Sequence, residues 1–336
     1  MKSTLLFLSV FLSVSLFGQN VYIPDANFKA ILVAGSSIDT NDDDEIQFSE
    51  ASTYDGTISC WNMDISDLTG IEAFTGLTNL RCMGNQLTSL DVSQNTALTN
   101  LECDGNQLTS LDVSQNTYLT SLYCQSNLLT SLDVSQNAAL ETLRCNGNQL
   151  TSLDVSQNTA LTSLYCYVNQ LTSLDVSQNS ALVGLECYSN QLTSLDVSQN
   201  TYLTSLYCQS NLLTSLDVSQ NAALDRLVCE ANQLTSLDVS QNAYLFSFGC
   251  AGNELTCLNV ANGNNSNFNY FTSINNPNLT CIEVDDVDWA NTNWSGIFNS
   301  DSQHYFSEDC NNDCSLIVYI PDANFKAYLV GNAEIN

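Results

Sequence analysis

Nine cysteines, Cys82, Cys103, Cys124, Cys145, Cys166, Cys187, Cys208, Cys229 and Cys250, recur at every twenty-first position without exception. A strict period of this length marks a solenoid, in which one structural position recurs on successive coils. No single coil of such a chain can bury its own apolar residues, so each is stabilised by the next and both ends need caps. Fourteen cysteines in one chain would otherwise suggest a disulfide framework. Inward-pointing thiols on parallel rungs do not easily reach disulfide torsions, however, and no C-x-x-C pair occurs among the nine. The ladder therefore reads as inert thiols, small apolar fillers of the interior. Cys257 and Cys281 differ, each replacing the Ser of an LTS triplet. With Cys310 and Cys314 nearby they point to a disulfide in a C-terminal cap, its pairing left open.

One unit can be taken from Leu98, LTNLECDGNQLTSLDVSQNTY, and each half follows L-x-x-L-x-(C/V)-x-x-N. The alternations Leu101-Glu102-Cys103 and Leu111-Asp112-Val113 put one residue out between two in, which predicts a short half-buried strand in each half. Asn106 and Asn116 then end these strands, their side chains bonding backbone groups that a coil stacked between two others cannot leave unpaired.

The pattern L-x-x-L-x-C-x-x-N-x-L resembles the leucine-rich-repeat consensus, with Cys in the place of a third Leu. The 21-residue unit with two nested halves is similar to the bacterial class called IRREKO, and to the LTSLDVS repeats of secreted Bacteroidetes proteins. The resemblance covers about Ile65 to Val284. It implies a β-solenoid, a right-handed coil of short parallel strands used for protein or glycan contacts, and no particular ligand. Rungs ~4.8 Å apart would make a rod of roughly 45–50 Å.

The remaining segments fall around this core. Lys2, an apolar stretch from Leu5 to Phe17 and Gly18 read as a secretory signal peptide over 1–18, too short to span a bilayer. The mature protein is thus expected to be secreted or on the cell surface, with no membrane insertion. Residues 19–56 read as a small helical module, 57–80 as an irregular first repeat that caps the solenoid, and 81–284 as the solenoid itself. Its end decays through LTCLNV at Leu255, an insertion from Asn264 to Asn278, and LTCIEV at Leu279. Residues 285–314, with Trp289, Trp294, Phe298, Tyr305 and Phe306, read as a C-terminal cap. VYIPDANFKA at Val21 recurs letter for letter at Val318, so 315–336 reads as the start of a second, truncated module, and more chain is expected downstream.

The chain carries 36 acidic against 6 basic residues, a formal net charge of −30. Such a field repels nucleic acid and anionic membranes, which need Lys and Arg to displace counterions. It suits cations and cationic partners.

Three rows carry candidate function. LTSLDVSQN occurs eight times unchanged and aligns Asp91, Asp112, Asp133, Asp154, Asp175, Asp196, Asp217 and Asp238. Exposed carboxylates at rung spacing repel only weakly in water, so a solvated face needs no bound cation to explain it. The Leu-x-Cys strand varies instead: Arg81, Glu102, Tyr123, Arg144, Tyr165, Glu186, Tyr207, Val228 and Gly249 lie between Leu or Phe and Cys, while Tyr167 and Tyr188 follow the cysteine. A scaffold with one fixed and one variable face places binding on the latter. Tyr and Arg are enriched at binding hot spots, so Arg81, Tyr123, Arg144, Tyr165, Tyr167, Tyr188 and Tyr207 are the candidate ligand-binding residues, centred on Tyr165, Tyr167 and Tyr188. Tyr123 and Tyr207 count once, because the segment 116–140 recurs identically at 200–224.

The third candidate precedes the repeats. Asp39, Asn41, Asp43, Glu45, Gln47 and Glu50 match D-x-N-x-D-x-x-I-x-x-x-E, resembling an EF-hand calcium loop. The resemblance implies Ca2+ held by these side chains and by the Glu45 carbonyl. The sequence departs from it at Asp44, where the family has Gly in a left-handed turn, a conformation Asp tolerates better than most residues.

His304 is the sole histidine, and no G-x-S-x-G, H-E-x-x-H or P-loop occurs. The sequence thus reads as a monomeric, non-enzymatic recognition or adhesion protein binding a protein or polysaccharide ligand. The alternatives are a calcium-stabilised spacer or matrix protein, or the accessory region of a larger secreted hydrolase.

Overall fold

The structure is a computed structural model that describes residues 19–294 and 300–310. Residues 1–18 (read in the sequence as a signal peptide), Phe298, Cys314 and the second copy of VYIPDANFKA lie outside the described residues.

Helix α1 (Ala26–Val33) starts at Asp25, whose Oδ1 accepts the backbone N–H groups of Asn27 and Phe28 at 3.0 and 3.1 Å. Such a cap satisfies donors that the first turn leaves free. Phe28 and Leu32, one turn apart, bury fully, and Ile31 packs beside them. Helix α2 (Phe48–Thr53) begins with a capping box between Gln47 and Glu50. The N-terminal module is tied to the first coil: Asp25 Oδ2 accepts Ser66 N–H at 2.9 Å, and Val21 and Ile23 press against Gly70. Gly70 sits at φ 104°, and a Cβ there would meet Ile23 at 2.7 Å. Only glycine allows both the turn and the contact.

The solenoid is an eleven-stranded parallel sheet. Its three-residue strands start at Thr57–Ser59 and Asn79–Arg81, recur once per repeat through Ser247–Gly249, and end at Tyr270–Thr272. Each coil returns the chain to the same place one rung further on, which makes every pairing parallel, as Leu101 with Leu122 and Leu122 with Leu143. The central leucine of each strand from Asn79–Arg81 to Arg226–Val228, and Phe248, point inward with no exposure, and so do the ladder cysteines, which are all free thiols. Cys60 extends the ladder by one rung; it lies one position out of step with the period, which concealed it in the sequence. Burial pushes these thiols up, Cys145 to about 12, so they are unreactive fillers.

Two asparagine ladders lock the rungs. Asn148 Nδ2 donates to the carbonyls of Cys124 and Cys145 at 3.1 and 3.0 Å, while its Oδ1 accepts Leu129 N–H at 3.0 Å. One side chain thus ties two rungs. In the second ladder Asn158 Nδ2 donates to Val134 and Asn137 carbonyls, both at 2.9 Å.

The LDV segments correct the sequence expectation of a second strand. Only Ser236–Asp238 forms one, beside an isolated bridge between Asp91 and Asp112. All along the row, Asp238 included, the Asp side chain accepts the N–H two residues on, as Asp133 Oδ1 does from Ser135 at 2.9 Å. The bond gives that N–H a partner inside its own coil, so the segment needs no ladder to satisfy it. The residues Ser236–Asp238, Cys257–Asn259, Cys281–Glu283 and Tyr305–Ser307 build a second, four-stranded parallel sheet at the C-terminal end.

A second correction concerns the insertion from Asn264 to Asn278. It contains a full rung: Phe268, Phe271, Ser273 and Asn276 occupy the L-x-x-L-x-C-x-x-N positions, and Tyr270–Thr272 pairs with Ser247–Gly249. Asn276 Nδ2 bonds the carbonyls of Cys250 and Ser273 as a ladder asparagine does. Phenylalanine for leucine and serine for cysteine had disguised it. The larger rings meet the cap, where Trp294, just past helix α3 (Val287–Asn293), packs on Phe271 at 4.3 Å and Phe268 at 5.4 Å. Phe306 joins this cluster, whereas Tyr305 stays exposed. Cys281 pairs with Cys310 in a disulfide, and Cys257 is also disulfide-bonded.

Two stability changes follow. Asn148→Ala strips two carbonyls and one N–H of their partners, each costing about 1–3 kcal/mol; urea denaturation should show a large loss, against almost none for the exposed Asp154→Asn. Val168 occupies the left-handed turn position (φ 53°) that glycine holds in other rungs, such as Gly147 at φ 65°. A β-branched residue is strained there, so Val168→Gly should stabilise by about 1 kcal/mol in the same assay.

Candidate functional site

The eleven strands hold one residue each outward between two buried neighbours, and register stacks these residues into a row. Its first charges pair within the row: Arg81 Nε lies 3.2 Å from Glu102 Oε1. Next, Arg144 enters between two aromatic rings, its guanidinium carbon 5.3 Å from the Tyr123 centroid and 4.4 Å from that of Tyr165. Rung spacing of ~4.8 Å delivers this stacking without further adjustment. Glu186 follows, paired in register with Tyr165 on one side and Tyr207 on the other. Val228 and Gly249 follow, and Thr272 of the last strand closes the row.

The second outward row holds Tyr167 and Tyr188, whose rings stack at 4.2 Å with an interplanar angle of 9°. The Tyr188 hydroxyl is pushed up to about 12 by burial, with Tyr167 and Glu186 adding to the effect. The seven residues expected to bind ligand therefore divide. Tyr123, Arg144 and Tyr165 form one cluster, Tyr167 and Tyr188 another, Tyr207 stands beside Glu186, and Arg81 is engaged at the far end. Sequence reading put the tyrosines on adjacent rungs but passed over Glu186 and the Tyr–Arg–Tyr order, which the strict period already contains.

The aspartate row lies on a separate face. Backbone N–H groups hold the carboxyls of Asp91, Asp112, Asp133, Asp154, Asp175 and Asp196 below their ordinary range, as Ser114 N–H does for Asp112. A shallow open depression lies between Asp112 and Asp133. The row is exposed until its last member, Asp238, which is half-buried.

The loop from Asp39 to Glu50 is held by its own hydrogen bonds. Asp39 is buried, and its carboxylate accepts Asp42 N–H at 2.8 Å and Asp44 N–H at 3.2 Å. Asn41 Nδ2 donates to Gln47 Oε1 at 3.0 Å, and Gln47 Nε2 to both oxygens of Asp43 at 3.0 and 3.1 Å. Glu50 accepts Thr40 N–H, the Thr40 hydroxyl and Gln47 N–H at 2.8, 2.7 and 3.0 Å. Burial would raise Glu50, but these bonds outweigh it and lower its pKa. The Glu45 side chain pairs with Lys29, which leaves its carbonyl as the donor the loop pattern uses. Asp44 takes the left-handed conformation at φ 61°. The donors brought together are all oxygens, the type a hard cation takes. Among the described residues no group of three His, Cys, Asp or Glu side chains converges as a metal centre, so amide and carbonyl oxygens would have to complete such a site.

His304 serves the cap: its Nδ1 accepts Asp301 N–H at 3.2 Å, and burial lowers its pKa. Among the described residues no helix is long and apolar enough to cross a membrane.

The family profile described as the LRR domain of endo-β-N-acetylglucosaminidase EndoS matches residues 46–179. Internalin J of Listeria monocytogenes is 43% identical over 78 residues, 23% of this chain and 8% of that protein, so the match spans a small part of the relative's length. A solved structure of the functional domain of InlJ from L. monocytogenes, which includes a cysteine ladder, superposes with a TM-score of 0.70 at 37% identity. The match covers 84% of this chain and 68% of that one. An internalin, InlF, from the same species shares the fold at a TM-score of 0.62 and 20% identity, covering 85% of this chain and 91% of the other. The chain belongs to the internalin-type leucine-rich-repeat family, and its repeat region is a non-enzymatic interaction scaffold.

Proposed function

We propose that this chain is a secreted or cell-surface recognition or adhesion protein that takes a protein or glycan ligand on the variable strand row. The observation that carries this reading is the concentration of Tyr123, Arg144, Tyr165, Tyr167, Tyr188 and Tyr207 on neighbouring rungs of one sheet, while the aspartate face repeats unchanged. Large, rigid aromatic side chains bury area at low entropic cost, and clustering lets a ligand desolvate several together. The centre of the face is Tyr165, Tyr167 and Tyr188. We further propose that Asp39, Asn41, Asp43, Gln47, Glu50 and the Glu45 carbonyl hold a calcium ion that stiffens the N-terminal module. The oxygen-only donor set and the left-handed Asp44 support this. Likeness to the repeat domain of an endoglycosidase supports a second reading, in which this region serves a larger secreted hydrolase.

Replacing Tyr165, Tyr167 and Tyr188 together with Ser is expected to leave the circular dichroism spectrum unchanged and abolish capture of the natural ligand from protein and glycan arrays. Undiminished capture would move the site off this face. For the loop, calorimetry on the full chain should show one calcium site, lost in Glu50→Ala. The bonds from Gln47 to Asp43, and those to Glu50 described above, lower both carboxyl pKa values. Calcium affinity should therefore persist through the ordinary carboxylate range and fall only as pH drops below it, because protons then compete for the ligands. No heat at millimolar calcium would refute the site.

A further inference from the structure

The variable row satisfies its own charges everywhere but at one position. Arg81 meets Glu102, and Arg144 lies between the rings of Tyr123 and Tyr165. Glu186 holds the equivalent seat two rungs on, between Tyr165 and Tyr207, but with a negative charge. Among the described residues its carboxylate has no ion pair and no hydrogen bond. Burial pushes its pKa up, opposed by Arg144. Tyr188, two positions further along the chain, feels its charge.

We propose that Glu186, with the flanking Tyr165 and Tyr207, receives an arginine or lysine side chain of a basic polypeptide ligand. The proposal rests on the reading of the strand row as the binding face and names the partner class. A carboxylate walled by tyrosines offers a cation both an opposite charge and ring faces. The chain already shows the arrangement from within, where its own Arg144 occupies the seat between two tyrosines. Val228, one rung beyond Tyr207, supplies apolar surface on which the methylene stem of such a side chain can lie. The formal charge of −30 draws a basic partner toward the face. A sugar ring is less well served. Tyr167 and Tyr188 cover each other, and Arg144 occupies one face of Tyr165, so the flat surfaces on which a pyranose would stack are largely taken.

Calorimetry at low ionic strength tests this on the full chain, with a short acetylated peptide of alternating arginine and glycine as probe and its citrulline counterpart as the uncharged control. The arginine peptide should bind, and the citrulline peptide should bind at least about tenfold more weakly. Glu186→Gln should weaken the arginine peptide by about tenfold as well. Asp154→Asn removes one charge from the other face and should cost less than about twofold. Tyr207→Val keeps the carboxylate, installs the residue found on the next rung, and should also weaken binding; it serves as the second variant if Glu186→Gln does not fold. Equal losses in Glu186→Gln and Asp154→Asn would reduce the effect to diffuse attraction and overturn the proposal. Binding of chitohexaose that is lost in the same variants would overturn it in favour of a glycan. If Glu186→Gln binds the peptide normally while the triple tyrosine replacement abolishes natural-ligand capture, the face stands and the cation seat falls.

Discussion

The side-chain amide of asparagine holds this molecule together. A narrow coil turns its backbone inward at every corner, and the peptide groups there meet neither solvent nor a neighbouring strand. Asn148 shows the solution: one amide satisfies carbonyls on two consecutive rungs and an N–H on the earlier one. Such bonds fix the relative position of coils as firmly as the strands do. Because the first-ladder asparagines from Asn85 to Asn253 are tied to the cysteine ladder at constant offset, side chains one repeat apart are forced into rows. The Tyr–Arg–Tyr stack and the seat at Glu186 are products of that alignment.

Much of this was legible in the sequence, because period and polarity act locally. The cysteines and leucines had to point inward, and the asparagines had to sit at the turns. What escaped had identifiable causes. Asp112 looked like the outward residue of a strand, yet only an isolated bridge to Asp91 forms there, and its carboxylate gives the N–H of Ser114 a partner within the same coil. The rung around Tyr270–Thr272 hid behind Phe271 and Ser273, which keep the apolar pattern while changing the letters of the motif. On the variable face the candidate tyrosines and arginines could be ranked by side-chain chemistry. Their mutual pairings depended on rotamers, and the stacking of Tyr167 on Tyr188 is a three-dimensional choice that composition does not dictate. Glu186 was overlooked because its importance comes from what its neighbours leave unpaired.

The two ends meet their exposed edges differently. At the N-terminal end a separate module docks through Asp25 on Ser66 and through the close approach of Ile23 to Gly70, so the edge is covered by chain of another kind. At the other end the repeat itself changes composition. Leucine gives way to Phe248, Phe268 and Phe271, and these rings grow into the space that Trp294 fills from the end of helix α3. The Cys281–Cys310 disulfide then ties the strand Cys281–Glu283 to the residues just past Tyr305–Ser307.

The near-identity of successive coils makes length a free variable. Each coil touches only its two neighbours, and the segments 116–140 and 200–224 are interchangeable letter for letter. An unequal exchange between such copies would add or remove whole coils without disturbing a single ladder contact, since every junction so created already exists elsewhere in the molecule. Each event would slide the tyrosine clusters relative to one another by a multiple of the rung spacing, ~4.8 Å. The scaffold thus behaves as a vernier, on which the distance between two side-chain clusters is reset in fixed steps by genetic accident while the caps at either end remain the same.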